Sequence, residues 1–434
     1  MYTAIKLTPC LTMSERTILV WFRNDLRIHD NEILLEAVRK ADKILPVYCF
    51  DPFYFKQNSS GNPKTGNIRA RFLIESVANL RKNLQTIGGE LIVRIGNPAE
   101  ILPQLAEEYH VNEVYHHREV ASEETEISEQ VETALWKMRL NLKHFIGHTL
   151  YHKEDLPFPI KDIPDSFAVF KKKAERDSNV RPCLDTPGHI ATPGISDAGE
   201  IPTLQMLGLN EPIDDPRSLN RFVGGEDEAL TQLANFFENN SHLLIGKKGA
   251  QVNLSKLSPW VALGCISLRR VYWEVVKHQQ LNNTQYGNIL LDLLWRDYFR
   301  FMFKKHGQKF IATKDNTEDT AIGTDALFEI WKNGETGVPI IDAIMHELNA
   351  TGYISNQSRQ ITAGFLVNEL KVHWKKGAAY FEEKLIDYSP ASNWGNWAFI
   401  AGVNDARESR YNVAALPESA SRSEYIDTWL PVLI

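Results

Sequence analysis

Apolar positions fall into two rhythms along this chain, and the change of rhythm divides it. Up to about residue 150, short runs rich in β-branched residues alternate with segments whose apolar residues recur every three or four positions. TILVWF (17–22), KILPVYCF (43–50), ELIVRI (90–95), EVYHH (113–117) and LKHFIGHTL (142–150) predict strands. The segments 31–40, 68–86, 98–110 and 121–139 predict helices between them. This alternation predicts an N-terminal α/β domain over 14–150, Rossmann-like, with a five-stranded parallel sheet covered by helices on both faces. No G-x-G-x-x-G follows the first strand, which disfavours a classical nicotinamide dinucleotide site. Residues 151–225 are rich in Pro, Gly and Asp, most clearly in LDTPGHIATPGISDAGEIPT (184–203), and read as an interdomain connector. From Glu226 to residue 434 the period is helical, broken by turns such as NGETGVP (333–339), which predicts an all-α C-terminal domain.

Within that helical half, some polar residues sit where a core helix would not want them. In LLDLLWRDYFRF (290–301) and just beyond, Asp292, Trp295, Arg296, Phe299 and Phe303 fall at i, i+3, i+4, i+7 and i+11, on one face. Taken alone, Asp292 and Arg296 make an i,i+4 ion pair on a buried amphipathic helix. The alternative is a pocket wall that meets a large, flat, polar ligand. In TGYISNQSRQITAGFLV (351–367), Asn356, Arg359 and Gln360 share a face beside Ala363 and Gly364, either as solvated surface or as a second wall. LIDYSPASNWGNWAFIAG (385–402) gathers Asp387, Asn393, Trp394 and Trp397 among small residues, with Ser389-Pro390 and Ser392-Asn393 as turn and cap chemistry. Asp387 is a candidate partner for Arg359, since a buried arginine–carboxylate pair keeps both charged. In SKLSPWVALGCIS (255–267), Ser255, Lys256 and Ser258 precede Pro259, a favoured first helical residue, so the segment is a plain capped helix or an anion site.

Composition narrows the class. The 434 residues exceed one typical core, so two domains or more are expected. Hydrophobic residues at 43% and charged residues at 24% are those of a soluble globular protein. No run approaches ~20 consecutive apolar residues, so no membrane span is expected. The first sixteen residues lack the layout of a signal peptide, and Met13 is an alternative start. Cys10, Cys49, Cys183 and Cys265 are scattered without a C-x-x-C, which argues against a metal site or disulfide framework and fits a cytoplasmic location. The net charge of −7 does not announce a nucleic-acid binder, although a local basic patch is compatible with it. Of ten tryptophans, eight lie beyond residue 259, beside polar residues often enough to suggest more than core filling.

Seven motifs in fixed order carry a resemblance: WFRNDLRIHDN (21–31), PDSFAVFKKKAE (164–175), FVGGEDEAL (222–230), LSPWVALGCIS (257–267), LLWRDYFRF (293–301), GVPIIDAIMHELNATGY (337–353) and DYSPASNWGNW (387–397). The chain resembles the photolyase/cryptochrome family from about residue 17 to about 430, and its DASH branch in SFAVFKKKAE, WRDYFRF, SNWGNW and Gln360. The resemblance implies FAD held in the helical domain, which uses blue light to exchange an electron with a cyclobutane pyrimidine dimer. It also implies an antenna in the α/β domain, commonly a folate such as 5,10-methenyltetrahydrofolate. Carried over by position, Ser255, Lys256, Leu257 and Ser258 line the FAD phosphates, and Arg296 and Asn356 contact the cofactor. Arg359 and Asp387 form a pair beside the flavin ring, and Asn393 faces its N5. Trp295 stacks on the flipped dimer and Asp292 hydrogen-bonds the damaged base. Trp397 and Trp374 begin an electron relay whose third position falls near Ala321, where Trp331 or a tyrosine is a candidate substitute. Glu119, within YHHREVASEE (115–124), is a candidate antenna contact, with a plain surface acid as the alternative.

The sequence departs from the family at several points. Ser241 or a displaced residue stands where a Tyr contacts FAD, and Leu254 replaces a Ser or Thr at the phosphates. Asp292 is one methylene shorter than the usual Glu, and Ser389 replaces an Asp. The expected partner is UV-damaged DNA, single-stranded as in the DASH branch, met by a monomer, with Lys371, Lys375, Lys376, Arg407 and Arg422 near the pocket mouth. Two competing readings remain: a non-enzymatic blue-light receptor, and a degenerate member that binds nucleic acid without repair. The absence of a long stretch beyond Trp429 disfavours the receptor.

Overall fold

The computed structural model describes residues 15–430 except 59–60, 62, 219–220, 241–254, 283–286, 313–323 and 404–419. The five strands are β1 (Thr17–Phe22), β2 (Lys43–Phe50), β3 (Ile92–Ile95), β4 (Glu113–His117) and β5 (Asn141–Phe145). They form one parallel sheet in the order β3-β2-β1-β4-β5. Four helices, α1 (Glu32–Lys40), α2 (Asn67–Thr86), α3 (Pro98–Glu108) and α4 (Ser122–Lys137), supply the crossovers.

Why the central strand is apolar throughout is visible in its packing. Ile18, Val20 and Phe22 join the core with Leu34 and Phe72 of α1 and α2, while Leu19 and Trp21 join Leu102, Ile127 and Val131 of α3 and α4. A side-chain period of two with helices on both faces leaves no polar side for β1 to show. The first of these cores runs on into the helical half, through Trp260, Leu293 and Phe299.

The helical half contains α6 (Glu226–Asn240), α7 (Ser258–Ala262), α8 (Leu268–Asn282), α9 (Gly287–His306) and α10 (Thr324–Asn333). It continues with α11 (Pro339–Thr351), α12 (Asn356–Asn368), α13 (Trp374–Lys384), α14 (Pro390–Ile400) and α15 (Ala420–Trp429). A second core, built on Trp331, Ile344, Leu366, Phe381 and Trp397, fills the space among α10 to α14. Gly395 of α14 lies so close to α9 that a Cβ there would stand 2.4 Å from the Phe299 ring. That close approach is what the small residues of SNWGNW provide.

The segment between the two halves is short of secondary structure but not of contacts. Its α-helix among the described residues, α5 (Phe167–Asp177), packs on α9, and Lys305 donates to the carbonyl of Ile163 at 2.7 Å. Further on, the carbonyls of Ala191 and Ala198 accept from Ile44 and Val93 of the sheet. The two halves are locked directly as well. Arg27 donates to the carbonyl of Gly264 at 2.9 Å, Glu226 accepts from the backbone of Ile28 and His29, and Asp30 pairs with Arg269 at 2.6 Å. Gly264 adopts φ +64° within 2.0 Å (measured from a notional Cβ) of the Asn24 carbonyl, a place open to glycine alone. No described helix is long and apolar enough to cross a membrane.

Candidate functional site

α9, α12, α14 and the turn 255–258 converge on one cavity of about 300 Å³. Ser255, Lys256, Leu257, Ser258, Asp292, Trp295, Arg296, Asn356, Arg359 and Asp387 all line it. A narrower extension of about 70 Å³ adds Asn393 and Trp397. Residues dispersed over 143 positions of sequence thus share one space. The cause is the helical period: each helix gives the cavity the stripe that its sequence spacing marks.

The carboxylate–arginine pair forms as the spacing suggested. Arg359 Nη2 donates to Asp387 Oδ2 at 2.7 Å and to the carbonyl of Ile354 at 3.0 Å. Asp387 is almost wholly enclosed, and the carboxylate beside it holds the Arg359 guanidinium above its ordinary pKa despite burial. The other carboxylate oxygen, Oδ1 of Asp387, is buried without a partner, and so is Nε of Arg296. Buried polar groups are normally satisfied, so these two carry spare hydrogen-bonding capacity at the cavity wall.

The Asp292–Arg296 ion pair that the sequence alone allows does not form. The charge acting on Asp292 is that of Arg359 across the cavity. Asp292 is reached from the cavity yet hemmed in by protein, and that enclosure pushes its pKa up to about 6 against the pull of Arg359. Burial, with Arg300 adding like charge, lowers Arg296 to about 10, a value at which it is still cationic at neutral pH.

Trp295 is held flat. Phe167 of α5 lies against it with ring centroids 3.5 Å apart and planes 10° apart, Phe299 stacks at 5.4 Å, and Phe399 presents an edge at 5.6 Å. Phe299 and Phe399 line the cavity with it. Asn393 is buried, and its Nδ2 donates to the carbonyl of Ala378 at 3.0 Å. That bond pins the amide and leaves a second N–H and the carbonyl oxygen for a ligand.

At 255–258, Lys256 takes a left-handed conformation, φ 50°. Such a backbone costs a non-glycine residue about 1–2 kcal/mol and turns the chain sharply at the cavity wall. α7 is only five residues long, too short to build much of a dipole, so what this turn offers an anion is the polar groups of 255–258 rather than the helix end. Ser389 stands at the N-cap of α14 without capping it through its hydroxyl, and it lines the cavity instead.

Among the aromatic relay candidates, Trp397 meets Phe381 at 5.1 Å and Trp331 at 6.3 Å, and Trp331 meets Tyr380 at 5.9 Å. Trp374 packs on Trp394 at 5.9 Å. Glu119 is no surface acid. It is fully buried and accepts from Arg300 at 2.9 Å and from the Asn24 amide at 2.9 Å, and against its burial the neighbouring His148, Arg300 and Arg23 hold it well below the ordinary carboxylate range. Lys375 and Lys376 sit in the first turn of α13, Lys376 paired with Asp325 at 2.7 Å, and with Lys371 they stand apart from the cavity lining. Ser241, Leu254, Ala321 and Arg407, and the side chain of Arg422, lie outside the described residues. No group of three or more His, Cys, Asp or Glu among the described residues is arranged to hold a metal ion.

Sequence reasoning missed four contributors. Tyr353 lines the cavity under Arg359, with the guanidinium 5.8 Å from its ring, and Ser392, Asn396 and Phe399 complete the α14 wall. Asn396 and Phe399 lie four and seven positions after Ser392, so the helical period could have found them. Phe167, which braces Trp295, is 128 residues away and carries no such signal.

A large flat polar ligand with phosphates suits this donor set: unpartnered Arg296 Nε, a fixed cation at Arg359, amides at Asn356 and Asn393, and the strained turn 255–258. Comparison with known proteins agrees. Residues 18–188 match the family model described as DNA photolyase, and 289–434 match the FAD binding domain of DNA photolyase. Cryptochrome DASH of Gloeobacter violaceus is 42% identical over 97% of this chain and 87% of its own length. Chloroplastic/mitochondrial cryptochrome DASH of Arabidopsis thaliana is 40% identical over 96% of this chain and 75% of its own. The crystal structure of a Synechocystis sp. PCC6803 cryptochrome superposes with a TM-score of 0.88 at 38% identity, covering 97% of this chain and 90% of that one.

Proposed function

The chain belongs to the photolyase/cryptochrome family, in its DASH branch, and from that premise we propose that it is an FAD-dependent blue-light enzyme acting on cyclobutane pyrimidine dimers in single-stranded DNA. The observation that carries this reading is one cavity lined jointly by the Arg359–Asp387 pair, Arg296, Asn356, Asp292 and Trp295. FAD, when bound, supplies the light absorption and the electron.

This chain's own residues bind, orient and exclude. Ser255, Lys256, Leu257 and Ser258 take the phosphates, and Arg296 and Asn356 take the cofactor's polar edges. Arg359 places a charge that cannot deprotonate beside the flavin ring, with Asp387 fixing its direction. Asn393 addresses the ring from the inner extension. Trp295, braced by Phe167 and Phe299, is the platform for a flipped pyrimidine. Stacking worth about 1–3 kcal/mol per base offsets the few kcal/mol of unstacking, a cost that is least in single strands. Asp292, near its midpoint at about pH 6, donates to or accepts from the damaged base. Trp397 starts the relay, which continues through Trp374 or, by ring contact, through Trp331 and Tyr380.

An antenna of the folate class belongs at the seam between the two halves, where Glu119, the carried-over antenna contact, lines a cavity of about 350 Å³. The free cysteines Cys49, Cys183 and Cys265 suit a reducing cytoplasm.

The test is repair of a UV-irradiated oligothymidylate by purified protein, in the dark and under blue light. We expect dimers to revert only in light, and Trp295→Ala to lose repair while keeping its flavin spectrum. Photochemistry without repair in the native protein would overturn the enzyme and leave the light receptor.

A further inference from the structure

We infer that Tyr388 is a redox-active tyrosine: it ends a branch of the electron relay, Trp374–Trp394–Tyr388, and passes its proton to Glu382 as its electron leaves. This rests on the reading of Trp397 and Trp374 as a relay. A relay needs an end from which the charge does not simply return. The sequence supplies no ring at the expected third position, since no aromatic residue stands between Phe310 and Phe328. The Trp397 ring lies over Gly377, where a Cβ would collide with it, three residues along α13 from Trp374. The Trp374 ring meets Trp394 of α14 edge-on, with centroids 5.9 Å apart. Trp394 Nε1 in turn donates to the Tyr388 hydroxyl at 3.2 Å.

Proton acceptors decide where the charge stops. Trp374 Nε1 is buried without a partner among the described residues, so an oxidised Trp374 keeps its proton and remains an oxidant. Tyr388 accepts from Trp394, which leaves its own proton to point at the Glu382 carboxylate, a contact that favours the ionised form of that acid. Glu382 is buried in α13, and burial raises its pKa against Lys64 and Arg69, so it takes a proton more readily than an exposed carboxylate does. Lys64 stands 3.6 Å from Glu382 but is engaged by Glu123 at 2.6 Å. The Arg69 guanidinium lies over the Tyr388 ring at 4.7 Å. A fixed cation there opposes a positively charged ring, so the electron leaves only together with the proton. Tyr380, on the Trp331 side, is placed differently. Its hydroxyl donates to the Asn349 amide oxygen, too weak a base to take the proton, and Lys332 and Lys384 lie 5.5 and 5.4 Å from its ring.

The steps balance. Trp374, oxidised by the relay, takes one electron from Trp394, and Trp394 takes one from Tyr388. The O–H bond of Tyr388 breaks and its proton forms an O–H bond on Glu382. Both indoles are restored, leaving a neutral tyrosyl radical beside a neutral acid. No positive charge remains on the ring to draw the electron back, so the separated state lives longer. Tyr388 lines a cavity of about 120 Å³ with Tyr54 and Arg69, where a small thiol reaches it. The thiol supplies the electron and Glu382 returns the proton. The oxidised thiols pair as a disulfide and release their protons to water.

The experiment is a blue flash on FAD-loaded protein without thiol, with the protein radical read by electron paramagnetic resonance and transient absorption, in water and in heavy water. We expect a tyrosyl signature that forms more slowly in heavy water. Tyr388→Phe, with its dark flavin spectrum unchanged, should show a tryptophanyl radical instead and recombine about tenfold faster. Glu382→Gln should lose the isotope effect and most of the tyrosyl signal. Trp394→Phe, which keeps the phenol and its carboxylate, should also remove the tyrosyl signal, and it carries the test if Tyr388→Phe does not fold. A tyrosyl signal kept in Tyr388→Phe but lost in Tyr380→Phe would overturn the proposal and give the end to the other branch. A tryptophanyl radical in the native protein that disappears in Trp374→Phe would overturn it while leaving the relay standing. A tyrosyl radical formed undiminished in Trp374→Phe would overturn both.

Discussion

The two halves of α9 carry the same kinds of residue and treat them in opposite ways. In the second half, Asp297 is sealed from solvent and accepts from the backbone N–H groups of Leu150 and Tyr151 at 2.8 and 2.9 Å. Arg300 meets Glu119, and Lys305 meets Asp165. In the first half, Asp292 has no ion-pair partner among the described residues, Arg296 keeps an unpartnered Nε, and Trp295 turns part of its ring to a cavity. One helix therefore fastens the two halves of the protein at one end and presents unspent chemistry at the other. The clearest contrast is between the two carboxylates: Asp297 is fully engaged by backbone N–H groups, whereas Asp292, five residues earlier, is left to the cavity.

Breaking the fastened class where it touches the cavity should have the largest effect. Arg359→Leu strands the Asp387 carboxylate in a buried place, a loss of about 3–5 kcal/mol. Protein purified from this variant should carry little or no flavin, read by absorbance, and should melt at a lower temperature. Asp297→Ala comes next. It leaves two buried N–H groups without an acceptor, at about 1–3 kcal/mol each. We expect destabilisation of roughly that sum by urea unfolding, with flavin spectrum and repair turnover retained in the folded fraction. If Asp297→Ala instead erased the spectrum at full stability, the division of α9 would be wrong.

Trp295→Ala probes the open class. Loss of stacking worth about 1–3 kcal/mol should weaken dimer-containing oligonucleotide roughly 5- to 150-fold, with stability little changed. Smallest is the proton at Asp292. Its folded pKa of about 6 lies above the ordinary value, so the folded state holds this proton more tightly than the unfolded one. Its contribution to stability is full at low pH and is lost as pH rises from about 4 through 6. Asp292→Asn should flatten that slope in ligand-free protein, measured as melting temperature against pH.

Much of this was legible in the sequence, and the illegible parts share a cause. The sheet was readable because strands buried on both faces are apolar at every position, as TILVWF is. The ends of β3 and β5 were overrun, to 90 and 150, because apolar character continues where the hydrogen-bonded ladder stops. The faces of α9, α12 and α14 were readable through the helical period. The Arg359–Asp387 pair was proposed on chemistry alone and forms. What periodicity cannot reveal is which distant residue meets a face. Glu119 resembles a surface acid in REVASEE, yet it is buried because Arg300, 181 positions later, reaches it. Asp292 and Arg296 are adjacent on one helix, yet burial acts first on each, followed by Arg359 for Asp292 and by Arg300 for Arg296.

The central claim is that the open end of α9 faces a bound flavin that works by light. The most direct measurement is the visible absorption of purified protein, dark and then under blue light with a reductant present. Flavin bands that bleach on illumination, and that vanish in Arg359→Leu, are the predicted result. A colourless native protein that takes up no added FAD would contradict the account.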